Sequence, residues 1–209
     1  MKKEAITLQT KLARRVIRKA FFAPSDMITV AGVDTAYRQN RACAAVVVIS
    51  LEDLKIIEEV VAVKPARFPY IPGLLSIREG PVILEALSRL KAAPDVLMVD
   101  GHGIAHPRRF GLASHLGLFT GIPAIGCAKT RLIGEYEEPQ STRGSIANLT
   151  DEGETIGAVV RTRTGVKPVF VSIGHRINLD LCIRIVLKSC RGYRLPEPLR
   201  RADHLSRKS

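Results

Sequence analysis

Two short apolar runs in this chain each end on a carboxylate. Met27-Ile28-Thr29-Val30-Ala31-Gly32-Val33 runs into Asp34, and Val96-Leu97-Met98-Val99 runs into Asp100, followed by Gly101-His102-Gly103. Apolar runs this short fit strands buried in a sheet. An acid at the tip of such a strand is costly to desolvate unless a positive partner meets it. The pair therefore restricts the chain to a sheet-centred fold whose strand ends gather negative charge. A third acid, Glu79, lies between them, just beyond the rigid turn Phe68-Pro69-Tyr70-Ile71-Pro72-Gly73.

The segments around these acids set the order of elements. Residues 5–20 read as an amphipathic helix with a basic face of Lys11, Arg14, Arg15, Arg18 and Lys19. Strands are predicted over 28–34, 42–50 and 55–63. Short polar breaks at Arg38-Gln39-Asn40 and Glu52-Asp53 suit hairpins, so these strands are expected to be antiparallel. Glu58-Glu59 leaves a helix over 51–63 as the alternative. A helix is expected over 75–92, bent or delayed by Gly80-Pro81. The run 96–100 fits a buried parallel strand reached by a helix crossover. A helix over 110–120, a strand over 122–127, a hairpin of 156–163 with 168–173, and a helix over 179–190 follow. Residues 195–209 read as a polar, basic, proline-marked tail. The expectation is one α/β domain over residues 1–209: a mixed sheet, three antiparallel strands and then parallel ones, flanked by helices. Acids at strand ends facing a cleft match the ribonuclease-H-like arrangement.

Charge narrows the partner. Lys and Arg number 32 against 20 acids in 209 residues, a formal net charge of +12. Such an excess points to a polyanion. Cys43, Cys127, Cys182 and Cys190 form no CxxC pair and show no zinc-ligand spacing, and no disulfides are expected; Cys43 and Cys127, within apolar runs, read as small core residues. The Met1-Lys2-Lys3-Glu4 start lacks an apolar signal region, and no run is long and apolar enough to span a membrane. A monomeric protein of the cytoplasm is expected.

Phosphodiester hydrolysis needs an activated water, neutralised phosphate charge and help for the leaving oxygen, all of which divalent metal ions supply. Mg²⁺ prefers oxygen ligands and often uses only one or two carboxylates. On this reading Asp34 and Asp100 are ligands if their strands are neighbours. Glu79 completes the site or holds a water, and Asp203 is a possible fourth carboxylate. Strand-end acids acting only as caps or turn formers are the alternative. Lys129, just after the strand over 122–127, either stabilises the scissile phosphate or is a solvated lysine. Tyr70 is either a wedge for a base stack or an aromatic cap on the core. His102, His106 and His175 lack the HExxH pattern of a zinc hydrolase and are left as phosphate contacts, water-orienting groups or satisfied polar residues.

Together these pieces resemble the endonuclease V family. The resemblance rests on Ala31-Gly32-Val33-Asp34, Pro69-Tyr70-Ile71-Pro72-Gly73, Arg78-Glu79-Gly80-Pro81 and Val99-Asp100-Gly101-His102-Gly103-Ile104-Ala105-His106-Pro107-Arg108. It continues through Gly111-Leu112-Ala113-Ser114-His115-Leu116-Gly117, Gly126-Cys127-Ala128-Lys129, Ser172-Ile173-Gly174-His175 and Gly192-Tyr193-Arg194-Leu195-Pro196-Glu197-Pro198. These follow the family's order over nearly the whole chain. The resemblance implies a ribonuclease-H-like fold and hydrolysis dependent on Mg²⁺, with Mn²⁺ as a substitute. The implied cut is at the second phosphodiester 3′ to hypoxanthine in DNA, leaving 3′-hydroxyl and 5′-phosphate ends. It implies metal-binding roles for Asp34 and Asp100, a catalytic role for Glu79, and places near the reaction for Lys129 and Asp203. It makes Tyr70, with Ile71 and Pro72, the wedge. It places Leu75, Gly101 and Gly103 at the base pocket and His106 near the cut. Ile77 departs from a position where the family often has phenylalanine. Inosine-containing RNA, branched nucleic acid, and a non-catalytic nucleic-acid-binding role are the alternatives.

Overall fold

The computed structural model describes residues 2–20 and 27–208; Met1 and the final tail residue, Ser209, fall outside the described residues. An eight-stranded mixed sheet has the order β3-β2-β1-β4-β5-β8-β7-β6. Its first half is a meander of β1 (Thr29–Arg38), β2 (Arg41–Ser50) and β3 (Ile56–Pro65). Gln39 and Asn40, at φ 47 and 60°, turn β1 into β2. A two-residue turn with both residues in the left-handed region matches the twist of an antiparallel pair. Helix α2 (Leu75–Ser88) returns the chain to β4 (Val96–Val99), and α3 (Leu112–Thr120) to β5 (Ala124–Ala128). β4 runs parallel to both β1 and β5. The antiparallel strands β6 (Ile146–Asp151), β7 (Glu154–Val160) and β8 (Val169–His175) complete the sheet. Helices α4 (Leu179–Lys188) and α5 (Glu197–Lys208) follow, and α1 (Lys2–Ala13) precedes the sheet.

The two-residue alternation of strands sorts the core onto two faces. Ala31, Val33, Leu97 and Val99 pack on Val82, Ile83 and Ala86 of α2 and Leu112 and Leu116 of α3. Val30, Val96 and Met98 pack on Leu181 and Val186 of α4 and Leu199 and Ala202 of α5. Each fully buried aliphatic of this kind contributes roughly 1.5–3 kcal/mol. Continuing the parity, Asp34 and Asp100 belong to the face covered by α5. Gly32 makes that approach possible: a Cβ there would lie 2.1 Å from the Pro198 carbonyl oxygen.

Three expectations are corrected, and one alternative is closed. The first helix ends at Ala13 rather than near 20. Beyond it, Ile17 accepts a backbone hydrogen bond from Arg176 and donates its N–H to His175 Nδ1, at 2.7 and 3.2 Å, so the chain is tied to the end of β8 instead of continuing as helix. Residues 56–65 are strand, which excludes the helical alternative; Glu58 and Glu59 lie on an edge strand, where charge discourages further pairing. α2 runs from Leu75 through Pro81 without a delayed start. The supposed tail is mostly helix α5, with Glu197 in its first turn and Arg207 and Lys208 in its last, as the helix dipole favours. Strand β6 had no counterpart in the sequence reading.

Candidate active site

β1 and β4 are adjacent and parallel, with Val33 opposite Val99. Asp34 and Asp100 therefore emerge side by side. Asp100 is anchored by its N–H, which donates to the Val33 carbonyl at 2.9 Å. α5 crosses the same strand and adds Asp203. One carboxylate oxygen from each of Asp34, Asp100 and Asp203 lies within 4.8 Å of the others. The sequence reading placed Asp203 as an uncertain fourth acid. In the structure it is the third member of the close set, and Glu79 stands beside it.

Charge within this cluster is only partly compensated. Lys129, one residue past β5, places Nζ 2.5 Å from Asp100 Oδ2 and 3.3 Å from Asp203 Oδ1. Burial opposes its charge, but the bond to Asp100 and the neighbouring acids hold its pKa above the ordinary lysine value. Asp34 is pushed up to about 6 by burial and by the Asp100 charge, although Ser206 Oγ donates to its Oδ2 at 2.8 Å. Burial also raises Asp203. There the bond from Arg207 at 2.9 Å and the charge of Lys129 prevail, and the net shift is downward. Hard oxygen donors in a cluster with excess negative charge fit a divalent cation of the Mg²⁺ class.

Glu79 enters from the opposite face, on α2, and is 7% exposed. Burial pushes its pKa up to about 8 and the Asp34 and Asp100 charges add to the rise, opposed by the hydroxyl of Tyr37. That hydroxyl donates to Glu79 Oε1 at 3.1 Å, and the Arg78 guanidinium covers the Tyr37 ring at 4.2 Å. Glu79 is thus electrically joined to the aspartates without being one of the close oxygen set.

Beside the acids lies a pocket of about 290 Å³. Tyr70, Ile71, Pro72 and Leu75 line one side; Asp100, Gly101, His106 and Lys129 line the other. This is the small end of the usual range for ligand pockets, roughly 300–1,000 Å³. Tyr70 is 69% exposed, an aromatic ring held out on a proline-stiffened loop. A Cβ on Gly101 would make ordinary contact with Leu112 at 3.5 Å, so that glycine leaves room rather than relieving a clash. Gly103 does not line the pocket. Its N–H donates to Ser172 Oγ at 2.9 Å, and a Cβ there would lie 2.0 Å from the Ile173 carbonyl oxygen. Its part is to let the loop after β4 lie on β8.

Two groups absent from the sequence reading organise this region, one bracing the pocket and one holding Glu79. The Gly73 carbonyl, at the foot of the Tyr70 loop, accepts hydrogen bonds from Gln9 Nε2 (3.1 Å), His106 Nε2 (3.0 Å) and Arg108 Nη2 (2.6 Å). Gln9 also accepts from Arg108 Nε at 2.7 Å and donates to Ser76 Oγ and the Phe110 carbonyl. His106 Nδ1 accepts from the Arg108 N–H, which leaves the proton on Nε2; burial pushes the ring down to about 4. His106 is therefore a neutral donor bracing the loop. Gln9 carried one sequence signal, a polar residue between Ala5 and Leu12 on the buried stripe of α1. The second group is Tyr37, whose side chain meets Glu79 only once β1 and α2 are packed. Of the remaining histidines, His102 meets the Thr130 carbonyl at 3.0 Å, whereas His175 meets the segment after α1, away from the acids.

The endonuclease V family model matches residues 10–204 of this chain. Endonuclease V of Methanothrix thermoacetophila is 52% identical over 205 residues, covering 98% of this chain and 90% of that protein. That of Roseiflexus sp. strain RS-1 is 50% identical over 203 residues, covering 97% and 90%. Among solved structures, endonuclease V of Streptomyces avermitilis superimposes with a TM-score of 0.94 at 45% identity, covering 100% of this chain and 92% of that one. Endonuclease V of Ciona intestinalis, in complex with a 23mer DNA containing an inosine followed by a ribo-adenosine, gives 0.89 at 30% identity, covering 99% and 95%. Among the described residues, no helix is long and apolar enough to cross a membrane.

Proposed function

Because the chain belongs to the endonuclease V family, and is on that ground an endonuclease, we propose that it recognises hypoxanthine in DNA and hydrolyses the second phosphodiester on its 3′ side. The products have 3′-hydroxyl and 5′-phosphate ends. The observation that carries this reading is the meeting of Asp34, Asp100 and Asp203 at the mouth of a base-sized pocket walled by Tyr70, Ile71, Pro72 and Leu75.

Asp34, Asp100 and Asp203 would hold Mg²⁺, with Mn²⁺ as a substitute. Such an ion supplies charge neutralisation at the phosphate and a source of hydroxide near neutral pH. Lys129 sets a positive charge beside the scissile phosphate while keeping Asp100 and Asp203 in place. Tyr37 occupies Glu79 Oε1, so Oε2 accepts the proton from the attacking water. Tyr70 enters the stack as the lesion leaves it, and a mispaired base is the cheapest to extrude. Gly101 leaves room for the base, and the backbone amides of the pocket match a purine whose amino donor has become a carbonyl acceptor. His106 keeps the loop under Tyr70 fixed, so that the wedge and pocket wall are formed before substrate arrives.

The Ciona complex, with its ribo-adenosine after the inosine, favours inosine-containing RNA as a second reading. A nicking assay separates the two. Labelled inosine DNA, inosine RNA and undamaged controls are incubated with and without Mg²⁺. Cutting of inosine DNA one nucleotide beyond the lesion's own 3′ phosphate, only with metal, is expected. Equal cutting of undamaged DNA, or cutting of the RNA alone, overturns the proposal.

A further inference from the structure

The site continues sideways into a groove whose turn arginines, Arg38 and Arg41, the chemistry above does not use. β1, β2, β3 and α5 enclose an open space of about 430 Å³. Arg38, Arg41 and Arg207 line it, and no carboxylate does. Arg38 and Arg41 stand directly opposite each other across the turn at Gln39 and Asn40. Like charges paired this way weaken a hairpin. Arg207 has Asp203 as its partner; among the described residues Arg38 and Arg41 have no carboxylate. A chain that keeps two unneutralised guanidinium groups on so tight a turn has a place for an anion.

The order of the sheet gives that anion a direction. The base pocket is built from the segments after β4 and β5. The acids lie over β4 and β1, and the groove lies over β1, β2 and β3. The three features thus follow one line across the strand ends. Ser206 joins the last two, since its hydroxyl holds Asp34 and its side chain lines the groove. A strand whose base fills the pocket and whose next phosphates meet the acids arrives among the three arginines.

We propose that this groove is a phosphate-binding track for the substrate strand beyond the cut, on its 3′ side, with Arg38 and Arg41 as the principal contacts. The direction rests on the proposed lesion-specific cut; the nucleic-acid contact itself does not.

The test is the charge-neutralising pair Arg38→Gln with Arg41→Gln, measured by equilibrium binding to labelled duplexes in EDTA over a series of KCl concentrations. Each lost phosphate contact removes about one unit from the slope of log affinity against log salt. The pair is expected to lower that slope by about 2 and to weaken binding at fixed salt by about tenfold. A control pair on α4, Arg184→Gln with Lys188→Gln, removes the same charge from a helix packed over β7 and β8 and is expected to leave the slope unchanged. With inosine duplexes trimmed 3′ of the cut, the Arg38/Arg41 variant and wild type are expected to bind alike; trimming on the 5′ side keeps the difference. An unchanged slope, a change matched by the control pair, or a difference that vanishes only on 5′ trimming overturns the track. Slopes on undamaged duplex decide the groove even if wild type shows no preference for inosine. If the double variant fails to fold, the single variants are each expected to lower the slope by about 1.

Discussion

The acid cluster and the clamp around Gly73 sit on two sides of one pocket and are finished to different degrees. In the clamp, neutral His106, Gln9 and Arg108 converge on one backbone carbonyl, and Gln9 answers Arg108 in turn. In the cluster, Lys129 pairs with Asp100 and Asp203, Arg207 reaches only Asp203, and Asp34 has no cation of its own and can ionise only against its surroundings. The protein alone completes the part that would recognise a base. It leaves the part that would cut dependent on ions and phosphate it does not itself supply. Rigidity at the pocket and unsatisfied charge at the acids are complementary: the first lowers the ordering cost of binding, the second draws a cation to one place.

Four measurements break or sharpen this contrast. The largest effect is expected for Asp100→Ala, which removes the acid that joins cluster, lysine and pocket. Nicking should fall by about a thousandfold or more while duplex binding persists; near-normal turnover would remove the cluster from the reaction.

The next is stability against pH without metal. Asp34 and Glu79 both have folded pKa values above their unfolded ones, about 6 and about 8 against 3.8 and 4.5. Their contribution to stability is therefore fully present below about pH 4 and is lost as pH rises toward 8. In EDTA the melting temperature should fall over that window by an amount reflecting a few kcal/mol. Mg²⁺ should restore it at the upper end, and Glu79→Gln should flatten the profile. A wild-type profile identical to that of Glu79→Gln would contradict the burial argument.

Gln9→Leu leaves Arg108 Nε without its acceptor and Gly73 with one donor fewer. A cost of about 1–3 kcal/mol is expected for such unpaired buried groups. It should appear as a raised KM for inosine substrate with kcat little changed, and a lowered kcat at unchanged KM would mean that the clamp serves the reaction instead. The smallest effect belongs to Tyr37→Phe. It removes only the hydroxyl on Glu79, worth about 0.5–1.5 kcal/mol, and should slow cutting several-fold without altering lesion affinity.

The same contrast explains what could be read in the chain. Asp34 and Asp100 announce themselves because a charged residue after an unbroken apolar run is conspicuous. The meander and the parallel strand follow from apolar periodicity and turn chemistry. α5 itself was hidden. Its inward positions include Leu199, Ala202 and Ser206, a narrow stripe in a segment otherwise charged and marked by prolines, so the polar composition masks a helix that is amphipathic once formed. Gln9 and Tyr37 were hidden for another reason. Their partners lie 64 and 42 residues away, and nothing in local sequence marks a hydrogen bond that only packing creates.

The position of Asp203 has a consequence for the order in which the protein is made. Asp34 and Asp100 leave the ribosome early and can pair through β1 and β4 while synthesis proceeds. The third carboxylate, and the Ser206 hydroxyl on Asp34, arrive about a hundred residues later on α5. Domains fold from the N-terminus at roughly 5–20 residues per second during synthesis. A nascent chain can thus own a nearly complete sheet while holding only part of its acid set. If the three acids act as proposed, cutting would wait on the docking of one late helix, and an unfinished chain would hold an incomplete site.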